Sequence, residues 1–525
     1  MIKPIEGGGR IYIRRHEKMK FIKWLIKVVN SRFFQLLICF ILELLFILIP
    51  TLLLSINFSI VYYIILVNFV FVVYIINKKK NLTFKLAWII VLCVLPFVGF
   101  VLYLIFADKR VPHRLTGCPQ EFEEGLDLIE NDTYNIDKIR DKRLRNQFAY
   151  IKNNSSYPCF TNTSCKYFAS GKECFDSIFE KVGKAEKFIF IEFFIVRDGQ
   201  IFNKLLNLLE KKIKDGVSVY FLLDDLGCLP YDSTTTIKRL KNIGANVAAF
   251  SKITFPTIFK TSYRDHRKIF DIDNKYVYTG GINISDEYAG FTKPHGEWCD
   301  SAVLLTGKAV SSYTLMFIQF FNYSSNTILN ASDFIIPHSK FLSRSYILPF
   351  SDSPTDDENI GRNVQLNIIN NASKYVFICT PYLVIDDEIE NALLIKAKTG
   401  VRVCIVVPHI PDKKTVFMAT RSHYESLVKN GVEIYEYTPG FMHSKLIVSD
   451  DDIALEGSIN LDFRSHFLQF ESGVLIGKDP SIRQMKKDYL NILSKSERIT
   501  IETVNNTKFF TKLLRAIVNV FSPIF

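Results

Sequence analysis

Two imidazoles, two ammonium groups and two carboxamides recur in this chain at matched spacing. His266-Arg267-Lys268 is followed after four residues by Asp273 and after six more by Gly280-Gly281-Ile282-Asn283. His443-Ser444-Lys445 is followed, at the same intervals, by Asp450 and Gly457-Ser458-Ile459-Asn460. Two copies in one register are not chance. In an extended segment side chains alternate, so a His and a Lys two apart point to the same face and can meet one phosphate. Lys holds phosphate oxygens as a point charge, the glycines let backbone come close, and Asn283 or Asn460 can donate an amide hydrogen bond to the same oxygens. Two copies facing one another would set two imidazoles on opposite sides of one phosphorus, one as nucleophile and one as general acid and then base. That chemistry requires no metal and no other cofactor. Asp273 and Asp450 complete the signature; we place them among the candidate catalytic residues, with an orienting or structural task.

The elements that must hold these residues also come in two copies. Residues 187–194 read as a strand, a helical stretch runs to about Asp215, and a second strand follows from Gly216 to Asp225. The same order returns at 374–379, a helix from about Asp387, and a strand from Gly400 to Val407. Further on, 241–247 and 429–434 each end a helix at a Gly before a strand. Alternation of this kind predicts an α/β fold with parallel or mixed sheets covered by helices. We divide the chain into a membrane-anchoring region at 1–107, a polar connector at 108–157, a first lobe at 158–340, a second lobe at 341–507 and an amphipathic tail at 508–525. In that tail Lys508, Lys512 and Arg515 alternate with Phe509, Phe510, Leu513, Leu514, Ile517 and Val518, a spacing that suits a helix lying in a lipid interface or packed on the catalytic body.

Apolar residues crowd the first fifth of the 525-residue chain. Segments near 34–54, 58–76 and 86–106 each reach the roughly 20 residues that cross a hydrocarbon core as a helix. Glu43 and Asn68 interrupt the first two, and packing against a partner helix is their expected role. Nine Lys or Arg precede the first segment, and Lys78, Lys79, Lys80 and Lys85 lie between the second and third. The positive-inside rule places both stretches in the cytoplasm. Three full crossings would then put the lobes outside, whereas Lys109, Arg110 and Arg114 pull them inward; the cysteines, without a small-secreted layout, favour a cytoplasmic catalytic face. Cys159, Cys165 and Cys174 lack structural-zinc spacing. The net charge of +12 lies largely beside the apolar segments and matches anionic lipid headgroups rather than nucleic acid. Asp224 and Asp225, and His295, His409, His423 and His466, stand outside the repeated pattern and read as structural or surface residues, with a place beside the substrate as the alternative for His466.

With these residues in view, the chain resembles the phospholipase D superfamily and, within it, the bacterial cardiolipin synthases. Besides the two His-x-Lys motifs, the resemblance rests on Trp298-Cys299-Asp300, Thr380-Pro381-Tyr382, the run Asn460 to Ser465 with Glu471, the N-terminal Trp88, Pro96, Gly99 and Tyr103, and the ending Ser522-Pro523-Ile524-Phe525. It departs at Gly281, which stands where the second copy has Ser458, and in a presumed linker, 349–354, which lacks the family's Ser-Gly-Pro. The resemblance implies N-terminal transmembrane helices followed by two lobes related by a pseudo-twofold axis and sharing one active site. It implies a multi-pass cell-membrane enzyme that joins two phosphatidylglycerol molecules into cardiolipin and glycerol through a phosphohistidine, with His266 as nucleophile and His443 as acid and base. A hydrolase with water as acceptor, a nuclease and a non-enzymatic membrane scaffold are the alternatives.

Overall fold

The computed structural model describes residues 59–78, 81–107, 119–130, 133–228, 233–252, 263–325, 327–338, 345–356 and 358–524. The chain forms two compact units, Met1–Lys109 and Arg110–Pro523. In the first, the apolar sequence folds as α1 (Ser59–Asn77), α2 (Leu82–Val94) and α3 (Pro96–Phe106). The segment expected at 34–54 lies outside the described residues. The one expected at 86–106 is not a single helix: Pro96 forces Leu95 out of the helical region, to φ −128° and ψ 75°, as a residue before proline must go. The chain reverses there. Trp88 and Tyr103 would stand roughly 22 Å apart on a straight helix at 1.5 Å per residue, yet their ring centroids are 5.3 Å apart. Gly99 makes the reversal possible, because a Cβ there would sit 2.8 Å from the Val91 carbonyl oxygen. Asn68 on α1 donates to the Pro96 carbonyl at 2.9 Å, which is the packing role expected of it. Among the described residues no helix is long and apolar enough to cross a membrane; α1, with 19 residues, spans about 28 Å at 1.5 Å per residue.

The second unit holds both repeats. The first lobe contains β1 (Thr163–Phe168), β2 (Phe188–Phe193), α4 (Gln200–Lys214), β3 (Ser218–Asp224), β4 (Asn246–Phe250), β5 (Arg264–Asp265), β6 (Lys268–Ile272), β7 (Tyr276–Gly280), β8 (Glu297–Cys299), β9 (Ala302–Gly307) and α5 (Val310–Ser324). The second contains β10 (Tyr346–Asp352), β11 (Tyr375–Cys379), α6 (Asp387–Lys398), β12 (Arg402–Pro408), α7 (Lys414–Ser422), α8 (Tyr424–Lys429), β13 (Glu433–Tyr437), β14 (Gly440–Met442), β15 (Ile447–Ser449), β16 (Ile453–Gly457), β17 (Gln469–Gly477) and β18 (Ser496–Arg498), then α9 (Ile501–Asn505) and α10 (Phe509–Val520). The sheet orders are β1-β9-β7-β6-β2-β3-β4 and β10-β17-β16-β15-β11-β12-β13-β18, so strand for strand the second repeats the first and adds one edge. Both are mixed sheets: β2–β3 and β11–β12 run parallel, while β6–β7 and β15–β16 are antiparallel hairpins.

Local sequence explains the crossovers. α4 turns Ile201, Phe202, Leu205, Leu206 and Leu209 to the core, the 3–4 spacing of one helix face, and Gly216, at φ +93°, ends it in the left-handed conformation that glycine enters at no steric cost. α6 starts where the Asp386 carboxylate accepts the amides of Glu388 and Ile389 at 3.1 Å. Residues 349–354 do not form a linker; Pro349 sits in β10, the edge strand beside β17, whose other side meets only a bridge from Phe160 to Ile347 among the described residues, so the missing N–H costs no ladder bond. α5 is buried along most of its length. It bridges the lobes: Phe317 stacks on Phe190 of β2 at 4.3 Å, and Phe320 meets Phe470 of β17 at 4.9 Å.

A candidate active site shared by the two lobes

Each His-x-Lys segment borrows a strand from the other repeat. β5, which leads into His266, pairs with the start of β17, and the His266 amide continues that ladder to the Phe470 carbonyl at 2.9 Å. β14, which leads into His443, pairs with β8, and the His443 amide donates to the Cys299 carbonyl at 2.7 Å. The exchange carries a carboxylate with it. Nδ1 of His266 lies 2.9 Å from Glu471 Oε1, and Nδ1 of His443 lies 2.6 Å from Asp300 Oδ2. Each imidazole is therefore held by an acid of the opposite lobe. Nε2 of either ring makes no hydrogen bond to the described residues and is left for a substrate.

The carboxylates are themselves fixed. Ser458 and Ser465 donate their hydroxyls to Glu471, the second at 2.6 Å, and the Ser301 amide donates to Asp300 Oδ1 at 2.9 Å. Lys268 and Lys445 each donate to the backbone carbonyl of the His two residues before, which folds the ammonium back beside the ring. Lys445 Nζ also stands 2.9 Å from His443 Nδ1. One ring nitrogen cannot donate to Asp300 and accept from Lys445 together; the shorter, charge-assisted carboxylate contact takes the proton.

Burial sets the protonation states. The His, Lys and acid side chains are almost fully enclosed, with His266 7% and His443 8% exposed. Loss of water, and then the charges of Lys268 and Lys445, hold His266 well below the usual histidine range. His443 is pushed down to about 4 by burial and by Lys445, against the upward pull of Asp300. Burial brings Lys268 down to about 7 and Lys445 to about 8, with the neighbouring acids acting in opposition, and it pushes Glu471 well above the carboxylate range. Two ammonium groups so far from water await an anion, and a phosphodiester would supply one.

Of the residues expected at the site, His266, Lys268, His443 and Lys445 come together. Asn283 reaches the group through Tyr288: its Nδ2 donates to the Tyr288 hydroxyl at 2.7 Å, and the Tyr288 ring centroid lies 5.4 Å from that of His443. Its Oδ1 accepts the Ile195 amide at 3.2 Å, so half of this carboxamide serves the fold. Asn460 keeps a buried Oδ1 without a partner among the described residues. Asp273 and Asp450 stand elsewhere. Asp273 lies beyond the end of β6, about 16 Å from Lys268 at 3.3 Å per residue, and accepts the amides of Glu186, Lys187 and Phe188 at 2.8, 2.8 and 2.9 Å. Asp450 does the same for Ser373, Lys374 and Tyr375, and takes Arg143 at 2.8 Å. Both clamp the start of a neighbouring strand from left-handed backbone, φ 58° and 55°.

Three groups went unremarked as site residues in the sequence. Asp300 and Glu471 appeared only within the family resemblance, although Asp300-Ser301-Ala302-Val303-Leu304 and Glu471-Ser472-Gly473-Val474-Leu475 form a further repeat; unequal spacing from Gly281 and Ser458 hides it. The third is a seam of Ser301, Ser444 and Glu456. The two hydroxyls meet at 2.6 Å, and Ser301 donates to Glu456 at 3.1 Å. Where the second repeat has Ser444, the first has Arg267, buried against Glu192 at 2.6 Å and over the Phe320 ring at 3.4 Å. Asp224 is structural, accepting the amides of Gly227 and Asp265, and His466 is engaged with Gln365 at 2.8 Å.

Two repeated α/β lobes with one shared pair of His-x-Lys segments define the phospholipase D-like class of fold and site. The family description "Cardiolipin synthase, PLD-like domain" matches residues 366–493, and "Phospholipase_D-nuclease N-terminal" matches 66–107. A cardiolipin synthase of Alkalihalophilus pseudofirmus is 32% identical over 453 residues, covering 85% of this chain and 90% of that one. Cardiolipin synthase 2 of Bacillus anthracis is 30% identical over 460 residues, covering 86% and 88%. Among solved structures, the phosphatidylserine synthase of Haemophilus influenzae shares the fold at a TM-score of 0.55 and 15% identity, covering 72% of this chain and 98% of its own. The chain belongs to the cardiolipin synthase family.

Proposed function

We propose that this protein transfers a phosphatidyl group from one phosphatidylglycerol to the headgroup hydroxyl of another, giving cardiolipin and glycerol. In the first step Nε2 of His266 attacks phosphorus, the bond to the headgroup glycerol oxygen breaks, and His443 gives that oxygen its proton. In the second, His443 takes the proton of the incoming glycerol hydroxyl, whose oxygen attacks phosphorus as the phosphorus–nitrogen bond breaks. Lys268 and Lys445 hold the non-bridging oxygens in a site that excludes water, and Asn283 and Asn460 add amide donors. The observation that carries this reading is the exchange of acids between lobes, which fixes both Nδ1 atoms and leaves both Nε2 atoms for one phosphorus. The assignment of roles is supported by the local charges. Asp300 raises the proton affinity of His443 against the effect of burial, as an acid–base group needs, while burial and the charges of Lys268 and Lys445 hold His266 neutral.

The apolar N-terminal region is the anchor in this reading. The α2–α3 hairpin turns back at Pro96, so the chain enters and leaves that segment on one side, the side of the basic stretch around Lys78 and Lys85. The positive-inside rule makes that side cytoplasmic, which favours a cytoplasmic catalytic region. Lipid mass spectrometry on the purified protein in micelles of phosphatidylglycerol, with divalent cations chelated, tests the chemistry. Cardiolipin and glycerol from wild type, and neither from His266→Ala or His443→Ala, is the expected result. Phosphatidic acid in place of cardiolipin would refute the transferase assignment.

A further inference from the structure

Away from the His–Lys cluster, α10 covers a cavity of about 350 Å³, a size typical of small-molecule sites. Its walls come chiefly from α7, α8, α9 and the inner face of α10, and its ionisable groups are Arg421, Tyr424, Glu425, Glu436, Lys512 and Arg515. The charges there do not balance locally. Arg421 spends its guanidinium on buried Glu436, at 2.9 and 2.7 Å, which Tyr424 also engages at 2.9 Å. Lys512 reaches Glu425 at 3.1 Å, an acid already bound to Lys429. Arg515 makes no hydrogen bond or ion pair with the described residues, although it faces the same cavity; burial and the charge of Arg421 both press on its protonated form.

The outer face of this helix has a different character. Phe509 is 73% and Phe510 80% exposed, and Leu513, Leu514 and Ile517 follow at helical spacing, also exposed. No residue of α10 is buried. A helix with a cationic face over a cavity and an uncovered aromatic and aliphatic face matches a molecule that carries an anion at one end and hydrocarbon at the other.

We propose that this cavity holds the phosphate of an anionic membrane phospholipid against Arg515 and Lys512, with its acyl chains along the apolar face of α10, as a lipid site distinct from the catalytic one. The forked guanidinium of Arg515 suits phosphate oxygens geometrically as well as by charge.

Hydrogen exchange of the full-length His443→Ala protein, held in phosphatidylcholine nanodiscs with or without dioleoyl-phosphatidylglycerol, tests this. The readout is binding at residues 509–520, so it is separate from turnover and from the assignment of the catalytic pair. Phosphatidylglycerol should slow exchange there, and Arg515→Gln should weaken the effect about fivefold, as expected for one cation at an anionic lipid. Arg515→Lys should retain most of it, which also checks folding, and Lys508→Gln, which leaves the cavity walls intact, should change little. Protection unaltered in Arg515→Gln, equal loss in Lys508→Gln, or equal protection by inorganic phosphate alone would overturn the proposal.

Discussion

Replacing the two exchanged acids by their amides separates orientation from charge. In Asp300→Asn the carboxamide meets two neighbours with fixed demands. The Ser301 amide at 2.9 Å needs an acceptor, and His443 Nδ1 at 2.6 Å must remain protonated if Nε2 is to act. One oxygen cannot serve both. If it stays with Ser301, the new NH2 donates to Nδ1 and forces the wrong tautomer; if it flips, a buried N–H is left unmet, at about 1–3 kcal/mol. Loss of the ionic part of the bond adds about 1–2 kcal/mol. Together these predict a fall in kcat of about 30- to 5,000-fold, at about 1.4 kcal/mol per factor of ten. Glu471→Gln escapes the conflict. Ser465 shares the oxygen nearest His266 and Ser458 the other one; the Ser458 hydroxyl can rotate to accept from the new NH2, so the oxygen can stay on His266. At most the ionic part is lost, up to about 30-fold in kcat, and less because burial already favours neutral Glu471. Initial rates of cardiolipin formation at saturating phosphatidylglycerol, on variants with wild-type melting temperatures, make the comparison. If Asp300→Asn is no more damaging than Glu471→Gln, tautomer control by Asp300 is refuted.

Five further outcomes are expected. Because Lys268 and Lys445 lose their protons near 7 and 8 in the folded protein and must be charged to hold phosphate, kcat/KM should fall as pH rises through that window. Stability should move the other way between about pH 7 and 10, since the unfolded chain, with ordinary lysines near 10.4, binds more protons there than the folded one; a melting temperature that drops over this range would contradict the depressed values. Asp450→Ala should cost about 2–4 kcal/mol of stability by denaturant unfolding, from three strand amides and Arg143 left without their acceptor, while turnover per folded molecule stays within about threefold. A larger loss of kcat at unchanged stability would return Asp450 to the catalytic set. Gly281→Ser, which copies the second repeat into the first, places a Cβ 2.1 Å from Asp300 Oδ1 and should lower kcat at least about tenfold by displacing the acid from His443. Lys78→Cys and Lys214→Cys should react with an impermeant maleimide from the same, cytoplasmic, side of sealed vesicles; opposite sides would rule out the proposed topology.

The lobes were legible because α/β alternation and glycine-ended helices are local signals, written twice. The His–Lys pairs were legible for the same reason, since alternation along a strand needs no tertiary knowledge. What sequence did not show is long-range. β5 has two residues and β14 three, too short for any periodicity, and their partners lie in the opposite repeat. The acids that orient the histidines arrive with that exchange, so their role follows from topology rather than spacing. Asp273 and Asp450, placed among the catalytic candidates with an orienting or structural task, hold the structural one: they share the motif's register because the β6 and β15 hairpins are each tied to a neighbouring strand, a demand of folding that repeats as faithfully as a demand of chemistry. The third apolar segment was misread as one helix because composition alone does not register the turn that Pro96 and Gly99 permit.

A duplicated site gives two histidines in matched places, yet a ping-pong transfer gives them unequal roles, one to carry the phosphatidyl group and one to move protons. The asymmetry lies in a few substitutions around a conserved frame within the chain. Ser458 crowds a hydroxyl against Glu471, while its counterpart Gly281 leaves Asp300 packed directly at the ring side of His443. Ser465 adds a second donor to Glu471, whereas Asp300 takes only a backbone amide beside the ring, on its other oxygen. An acid already satisfied by hydroxyls has less charge to lend an imidazolium, which is the ground on which we propose His266 as the nucleophile and His443 as the proton carrier. Exchanging these neighbours between the lobes should therefore exchange the roles of the histidines, with the phosphorylated ring moving from His266 to His443 in trapped intermediates analysed by peptide mass spectrometry. Retention of the phosphatidyl group on His266 after such a swap would mean that substrate placement, rather than the carboxylate shells, breaks the symmetry.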